Sequence, residues 1–439
     1  MSTDDESAGS IALLTTQAIV NRFVLVYPTD DIWDSEKGVP MKPKGMSLAI
    51  GRHAFRDWLG NPHKRVVFQE QIIFDPTCTC TSDCINLFRG FSTKPAPGDC
   101  TDLLGVLDHL CGALEDGGDN SREVVEWVLN WAAYPLQNPG AKMATALVFH
   151  GPQGTGKNLF WEAYARIFGE YSAVIGQSQL ESRYNDWASR KLFIIGDEIV
   201  ASNELTHHKN ALKGYITGDS LQVETKFQST RIERNHTNFV FLSNENKPLA
   251  LEQDDRRHLV VYCPPKRCDQ TYETAHRSLQ NGAVGALYDF LLKRDLTGFH
   301  AHTRPPTTRA KAELIELGLK PSQRFMRQWL AQEIELPLWP CSTGQLYRAF
   351  NRWCRVNGER STTNQANFSS TVTRYARHRL ERKTASPSPA DHGVPIVLWV
   401  PAGTGPMEGV RWFDFATESV LAFELPLSRF ANFTSEVNP

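Results

Sequence analysis

The sequence predicts an α/β protein built around a parallel sheet that is buried on both faces. Three observations carry this. Between residues 143 and about 300, short apolar runs alternate with stretches of helical periodicity. The runs "ALVFH", "KLFIIGD", "NFVFLSN" and "HLVVYCP" are continuously apolar, as strands covered by helices on both sides must be. The first of them passes through a glycine-rich turn, "GPQGTGKN", directly into an amphipathic helix.

At 439 residues the chain exceeds one ordinary core, and two to four domains are expected. A hydrophobic content of 41% with 22% charged residues is globular, and a net charge of −2 excludes a global basic field. Contacts with nucleic acid must then come from local clusters of Lys and Arg. No apolar run is long enough to span a membrane, so no membrane partner is expected. The opening "MSTDDESAGS" is acidic and reads as a disordered lead without secretory character, which predicts a cytoplasmic protein with reduced cysteines.

Residues 1–100 mix short apolar runs ("RFVLVY", "RVVFQEQIIF") with turn residues and read as a small accessory region. Within it, Cys78, Cys80 and Cys84 stand in a C-x-C-x3-C spacing that is not a standard zinc pair. Plain thiols are the favoured reading, since a zinc site would need Cys100, His109 or Cys111 as fourth ligand. Residues 101–142 turn helical and are assigned to oligomerisation, with Asn120-Ser121 as a helix start. The core is placed at 143–303. Residues 304–400 give three helical patterns and a strand, which a winged helix or a generic helical cap would both produce; 401–439 form a tail.

The loop Gly151-x4-Gly156-Lys157 has the spacing that lets backbone N–H groups curl around phosphate oxygens at a helix N-terminus. Gly151, Gly154, Thr155, Gly156, Lys157 and Asn158 are the candidate nucleotide-binding residues, with Lys157 reaching the β- and γ-phosphates. Asn158 stands where Ser or Thr is usual; its carbonyl oxygen offers magnesium a ligand of different geometry. Forty residues on, "KLFIIGDEI" delivers Asp197 and Glu198 to a strand end, suited to hold magnesium and to polarise a water. Asn244 ends the third strand, where it could orient that water. Arg256 and Arg257 precede the fourth, as a candidate arginine finger for a neighbouring subunit or as a surface pair bonded to Asp254 or Asp255.

Between these motifs, "SLQVETKFQSTRIERNH" alternates as a half-buried hairpin strand, a "QST" turn and a return strand. Lys226, Arg231 and Arg234 on it are candidate contacts to a phosphate backbone, or guards of a solvated edge. A second basic cluster includes Arg374, Arg377, Arg379, Arg382 and Lys383. It faces DNA if the region is a winged helix, and solvent otherwise.

Four elements in order, "GPQGTGKN", "IIGDE", "FLSN" and "DDRRH", together with "LKGYITGDSLQVETKF", resemble the superfamily 3 helicases of the AAA+ class. The resemblance is to the helicase part of phage and plasmid primase-helicases of the poxvirus type, and it centres on residues 140–262. It implies an AAA+ core that binds ATP and Mg2+. Gly154, Gly156 and Lys157 would hold the triphosphate and Asp197 the metal. Glu198 would be the base, Asn244 would sense the γ-phosphate, and Arg256 or Arg257 would act in trans. It further implies a ring, usually a hexamer, moving on single-stranded DNA during replication of a phage or other mobile element in a bacterial host. No clustered carboxylates of a primase-polymerase stand near the N-terminus, so priming is expected from a separate primase. Rival readings are an origin-binding or loader ATPase without unwinding activity, a DNA-binding module with a relic site, and a small-molecule kinase.

Overall fold

The computed structural model describes residues 14–81, 83–112, 121–199, 206–226, 230–246, 248–249, 251–252, 254–360, 363–376, 378–388 and 393–432. The acidic lead, the "QST" turn at Gln228 and Ser229, and Arg377 lie outside them. The chain divides into two compact units, Met1–Leu249 with Asp255–Lys311, and Ala250–Asp254 with Ala312–Pro439.

The first unit opens with α1 (Thr16–Arg22), β1 (Phe23–Tyr27), β2 (Asp31–Asp34), β3 (Val39–Met41), α2 (Pro43–Ile50), α3 (Arg52–Gly60) and β4 (Arg65–Phe68). The strands form one sheet in the order β3-β2-β1-β4. Strand alternation splits its two faces. Phe23 and Ile32 pack with Met46, Ile50 and Trp58 of the helices, while Val24 and Val26 pack with Trp33, Val67 and Ile85. The Arg22–Asp34 pair, 2.7 Å apart and buried, closes the sheet's end with two-pronged geometry. Short strands β5 (Ile72–Ile73) and β6 (Ile85–Asn86) follow.

The helices α4 (Thr101–Gly112) and α5 (Ser121–Gln137) lead into the central sheet. Ser121, the expected helix start, is the first residue of α5. Their apolar stripes (Leu103, Val106 and Leu110; Val124, Trp127, Val128 and Trp131) are buried in the unit's own core. The central elements are β7 (Ala146–His150), α6 (Lys157–Phe168), β8 (Ser172–Ile175), α7 (Gln177–Glu181), β9 (Phe193–Asp197), α8 (Thr206–Thr217), β10 (Ser220–Val223), β11 (Arg231–Arg234), β12 (Asn238–Ser243), β13 (His258–Tyr262), α9 (Asp269–Gln280) and α10 (Ala283–Leu292).

All four expected strands are present, and every neighbouring pair in the sheet β13-β7-β12-β9-β8 is parallel. β8 was not legible: it is a four-residue edge strand whose Val174 is 53% exposed, so it lacks the continuous apolar run of its neighbours. The face under α6 is aromatic. Tyr164 meets Phe193 edge-on at 4.8 Å, and Phe168 stacks on the same ring at 5.5 Å. Burial of each such ring stabilises the layer by about 2 kcal/mol.

Helix α11 (Arg309–Leu317) crosses from the first unit into the second. The second unit continues with α12 (Pro321–Leu330), β14 (Cys341–Ser342), α13 (Thr343–Val356), α14 (Gln365–Tyr375), β15 (Leu380–Ala385), β16 (Ile396–Pro401) and α15 (Trp412–Asn432). Its antiparallel sheet runs β14-β16-β15. Ser342 caps α13 by accepting from the Gln345 N–H, while the Gln345 side chain accepts the Ser342 N–H. Phe325, Phe350, Trp353 and Phe368 fill the core, with Phe350 and Phe368 stacked at 4.7 Å. The tail, unreadable from sequence, contains the 21-residue α15, whose Phe423 and Leu427 enter the same core.

Candidate functional site

The parallel register aligns three strand ends. Ser243 of β12 pairs with His150 of β7, and Leu242 pairs with Asp197 of β9. Whatever follows His150, Ser243 and Asp197 therefore meets at one edge of the sheet, where open α/β sheets bind ligands.

After His150 the chain enters the glycine-rich loop. Gly151, Gly154 and Gly156 all take positive φ, of 136°, 79° and 91°. At Gly151 the requirement is steric as well as conformational, because a Cβ there would lie 2.6 Å from the Cys263 carbonyl oxygen. Thr155 is buried, and α6 begins at Lys157, so its free N–H groups face the loop.

The Lys157 side chain folds back over the loop, its Nζ donating to the carbonyls of Gly151 (2.9 Å) and Pro152 (2.8 Å) and to Asn244 Oδ1 (3.0 Å). Burial lowers the ammonium's pKa, and the nearby Glu198 and Asp197 oppose that shift. Asn244 in turn donates its Nδ2 to Glu198, so one amide bridges the cation of the loop and the carboxylate of the neighbouring strand. Asn158 Nδ2 donates to Asp197 Oδ2 at 3.2 Å. Five side chains, from the start of α6 and the ends of β9 and β12, thus form one polar constellation.

Glu198 has φ of 50°, in the left-handed region, and its N–H donates to the Leu242 carbonyl at 2.9 Å. A non-glycine residue held there at a strand end is the kind of local strain that collects at working sites. Gly196 just before it is confined by Phe241, whose Cδ1 would stand 2.6 Å from a Cβ.

The cleft above this constellation has a volume of about 640 Å³ and gains a further wall from Lys266, Asp269, Tyr272, Glu273 and His276. Sequence reasoning missed these residues. The readable signal was their spacing in α9, where Asp269, Tyr272, Glu273 and His276 recur every three or four residues on one helical face.

Arg256 and Arg257 lie elsewhere. The Arg257 carbonyl accepts from the N–H of Ala146, the first residue of β7, whereas the loop leaves β7 at its other end. A strand of this length puts roughly 15 Å between them and the loop of their own chain. Their guanidinium groups do not pair with Asp254 or Asp255, although the Arg257 N–H donates to Asp255 Oδ1 at 3.2 Å. That carboxylate takes His258 Nδ1 (2.9 Å) and Lys311 Nζ (3.2 Å), and among the described residues neither arginine side chain has an ion-pair partner. Burial would raise the Asp255 pKa, but the His258 and Lys311 contacts outweigh it and hold the carboxyl far below its usual range.

On the β10–β11 hairpin the candidate cations part company. Lys226 is exposed near the tip, and Arg234 is exposed on the outer face beside Ile232. Arg231 turns inward, bonding Glu233 Oε1 at 2.6 Å and Ser189 Oγ at 2.9 Å. Period-two alternation sends residues 231 and 233 to one face and 232 and 234 to the other. In the second unit Arg374 is exposed on α14, and Arg379 is exposed beside β15.

The three cysteines belong to a loop organised by Asp75. Its carboxylate accepts from the N–H groups of Thr77, Thr79 and Cys80 and from both threonine hydroxyls. Burial pushes its pKa up, yet these hydrogen bonds together bring it down to about 2. Among the described residues no group of His, Cys, Asp and Glu side chains is arranged to hold a metal ion. No helix among them is long and apolar enough to cross a membrane.

Comparison with known proteins bears on the same segment. Residues 149–257 match a protein family of unknown function, DUF5906. Over 162 residues, 36% of the chain, the sequence is 32% identical to a DNA primase-polymerase of Nitratiruptor phage NrS-1. The matched part spans only 22% of that relative's length. A solved apo structure of the NrS-1 C-terminal region superposes with a TM-score of 0.62 at 17% identity, covering 90% of this chain and all of that one. A second structure of the region gives 0.61 at 18% identity, covering 89% of this chain and 100% of that one. The chain therefore shares the mixed α/β fold of that region.

Proposed function

We propose that the first unit is a nucleoside-triphosphate hydrolase core of the superfamily 3 AAA+ type. In this reading the protein is an ATP-dependent DNA helicase or translocase serving replication of a phage or other mobile element. The observation that carries it is the hydrogen-bonded chain Lys157–Asn244–Glu198 at the mouth of a glycine loop, with Asn158 and Asp197 beside it. A positive loop, a polar amide and a carboxylate base in this order are what in-line phosphoryl transfer to water requires.

In this reading Lys157 exchanges the carbonyls of Gly151 and Pro152 for β- and γ-phosphate oxygens. Asn244 keeps its place between the γ-phosphate and Glu198, so it registers the phosphate and orients the attacking water. Glu198 accepts that water's proton. The oxygen donors fit magnesium: Asp197 and Asn158 already touch, and a rotated Asn158 amide would turn its carbonyl toward the same point. The metal, when bound, would neutralise developing charge on the phosphates. The α9 wall would contact the nucleoside end.

Arg256 and Arg257, a strand length from their own loop and without ion-pair partners among the described residues, suit a finger supplied to a neighbouring copy. That implies a homo-oligomer, and a hexameric ring is the assembly we propose. Lys226 and Arg234 would then offer phosphate contacts to single-stranded DNA. In the second unit, the element order α12-β14-α13-α14-β15-β16 with sheet order β14-β16-β15 supports a winged-helix assignment, with Arg374 and Arg379 toward DNA. Priming would come from a separate primase, and the setting is the bacterial host's cytoplasm.

The test is ATP turnover with and without single-stranded DNA for the native protein and Lys157→Ala, together with mass in solution with ATP. Turnover that rises with DNA, disappears in Lys157→Ala and accompanies a ring-sized mass is expected. DNA-indifferent turnover by a monomer would overturn the proposal. A ring that hydrolyses ATP without displacing a strand from a fork would favour a loader.

A further inference from the structure

The first unit carries another cleft, of about 850 Å³, between its N-terminal sheet and the β8–β9 side of the central sheet. Val26 and Trp33, from the sheet face that α1–α3 leave open, line one wall, and Tyr171 lines the other. The charged residues on its surface are five cations, Lys37, Arg89, Arg190, Lys191 and Arg231, against two carboxylates, Asp31 and Glu170. In a chain whose net charge is −2, this is a local positive excess.

Arg231 is paired with Glu233 at 2.6 Å, while Lys37, Arg89, Arg190 and Lys191 have no carboxylate partner among the described residues. Asp31 is paired with Lys42, outside the cleft, at 2.8 Å. Arg89 spends its guanidinium on the carbonyls of Lys37 (2.9 Å) and Glu36 (2.7 Å), which hold it in place without cancelling its charge. Lys191 likewise donates to the Glu170 carbonyl at 2.5 Å. The side chains of Lys37 and Arg190 make no hydrogen bond or ion pair with any described residue. Arg190 also has φ of 55°, and its N–H is bonded to Glu233 Oε2 at 3.2 Å. Glycine or asparagine would take this left-handed conformation more cheaply. The backbone gains nothing from an arginine there, which points to the guanidinium.

We propose that this cleft is a second site for the phosphate backbone of single-stranded nucleic acid, adjoining the base of the β10–β11 hairpin through Arg231. The proposal rests on the nucleic-acid reading of the hairpin and extends it to a surface built by the N-terminal sheet. Cations fixed on carbonyls and two unpaired side chains hold phosphates without reading bases, so the site is sequence-tolerant.

The experiment is fluorescence anisotropy of a labelled oligodeoxythymidine across a salt series, on the full chain. The variants are Lys37→Ala/Arg190→Gly, the conservative Arg190→Lys, and a hairpin control, Lys226→Ala/Arg234→Ala. Glycine is chosen at 190 because it tolerates the positive φ. Each lost phosphate contact reduces the slope of log K against log salt by about 0.7 for a single strand, so the cleft variant should lose about 1.4. DNA-free ATP turnover should be unchanged, and Arg190→Lys should keep the native slope. A native slope in the cleft variant, with a reduced one in the hairpin control, removes the cleft and leaves the hairpin reading standing. If Arg190→Lys weakens binding as much as the double variant, the role is packing and the proposal fails. Absence of binding by the native protein would remove both readings.

Discussion

Replacing Lys142 should change how the first unit's stability depends on pH. This residue lies in the segment before β7, and part of its stem is exposed, but its ammonium is enclosed. It donates to the carbonyl of Tyr215 (2.7 Å) at the end of α8 and to that of Thr237 just before β12. Among the described residues no carboxylate pairs with it; the ammonium has two carbonyls and the Phe239 ring, whose centroid is 5.5 Å away. Burial lowers its pKa from 10.5 to about 7.

The unfolded chain therefore holds this proton up to about pH 10.5 and the folded chain releases it near 7. Between those values the unfolded state binds more protons, so stability rises with pH, by at most about 1.4 kcal/mol per unit. Below pH 7 both states are protonated, and this contribution no longer varies. Discounted for the exposed stem, about 2 kcal/mol should accumulate from pH 7.5 to 9.5. Lys142→Met abolishes that rise and adds a pH-independent loss of about 1–2 kcal/mol, because the Thr237 carbonyl forfeits its donor. Urea denaturation followed by tryptophan fluorescence at several pH values, native minus variant, measures the difference and cancels cysteine and tyrosine titrations. Parallel profiles for the two proteins would refute an enclosed, unpaired ammonium at this position.

Further outcomes follow from single contacts. Gly151→Ala drives a Cβ against the Cys263 carbonyl and should abolish nucleotide binding in calorimetry, whereas Gly105→Ala in α4, where a Cβ meets nothing within 4 Å, should be neutral or raise the Tm. Asp255→Asn leaves Lys311 without its counter-charge at a buried site and should cost about 3 kcal/mol in chemical denaturation. Phe350→Ala empties the stacked centre of the second unit's core and should cost about 3–4 kcal/mol, read as a lowered denaturation midpoint. Mixing Lys157→Ala subunits with Arg256→Ala/Arg257→Ala subunits should restore ATP turnover that neither has alone; no recovery would place the arginines outside a shared site.

Much of the central sheet was legible because its strands are short, wholly apolar and bounded by glycine or polar turns. A continuous apolar run can only be satisfied between two layers, so the apolar runs specified β7, β9, β12 and β13 as strands covered on both faces, although β13 lies at an edge of the sheet. The loop was legible for a related reason. Three glycines at positive φ are a backbone demand that few other residues meet, and they are visible as letters. β8 and α15 were not: one is a half-exposed edge, and the other carries Leu421 and Leu425 exposed along its length, so neither presents a clean period.

What only the tertiary structure decided is pairing. The sequence by itself determined that Asp197, Glu198 and Asn244 stand at strand ends and that Lys157 opens the helix after the glycine loop, because both are local properties. It could not determine that β12 lies between β7 and β9, which is what seats Asn244 between Lys157 and Glu198. Nor could it determine that Arg231 faces Glu233 while Arg234 faces outward, since one register step exchanges the two faces of a hairpin. The α9 wall of the cleft and the opposition of Arg190 to Lys37 join residues far apart in the chain. Strand order and register fix such meetings, and both are settled by long-range packing that no local window of sequence contains.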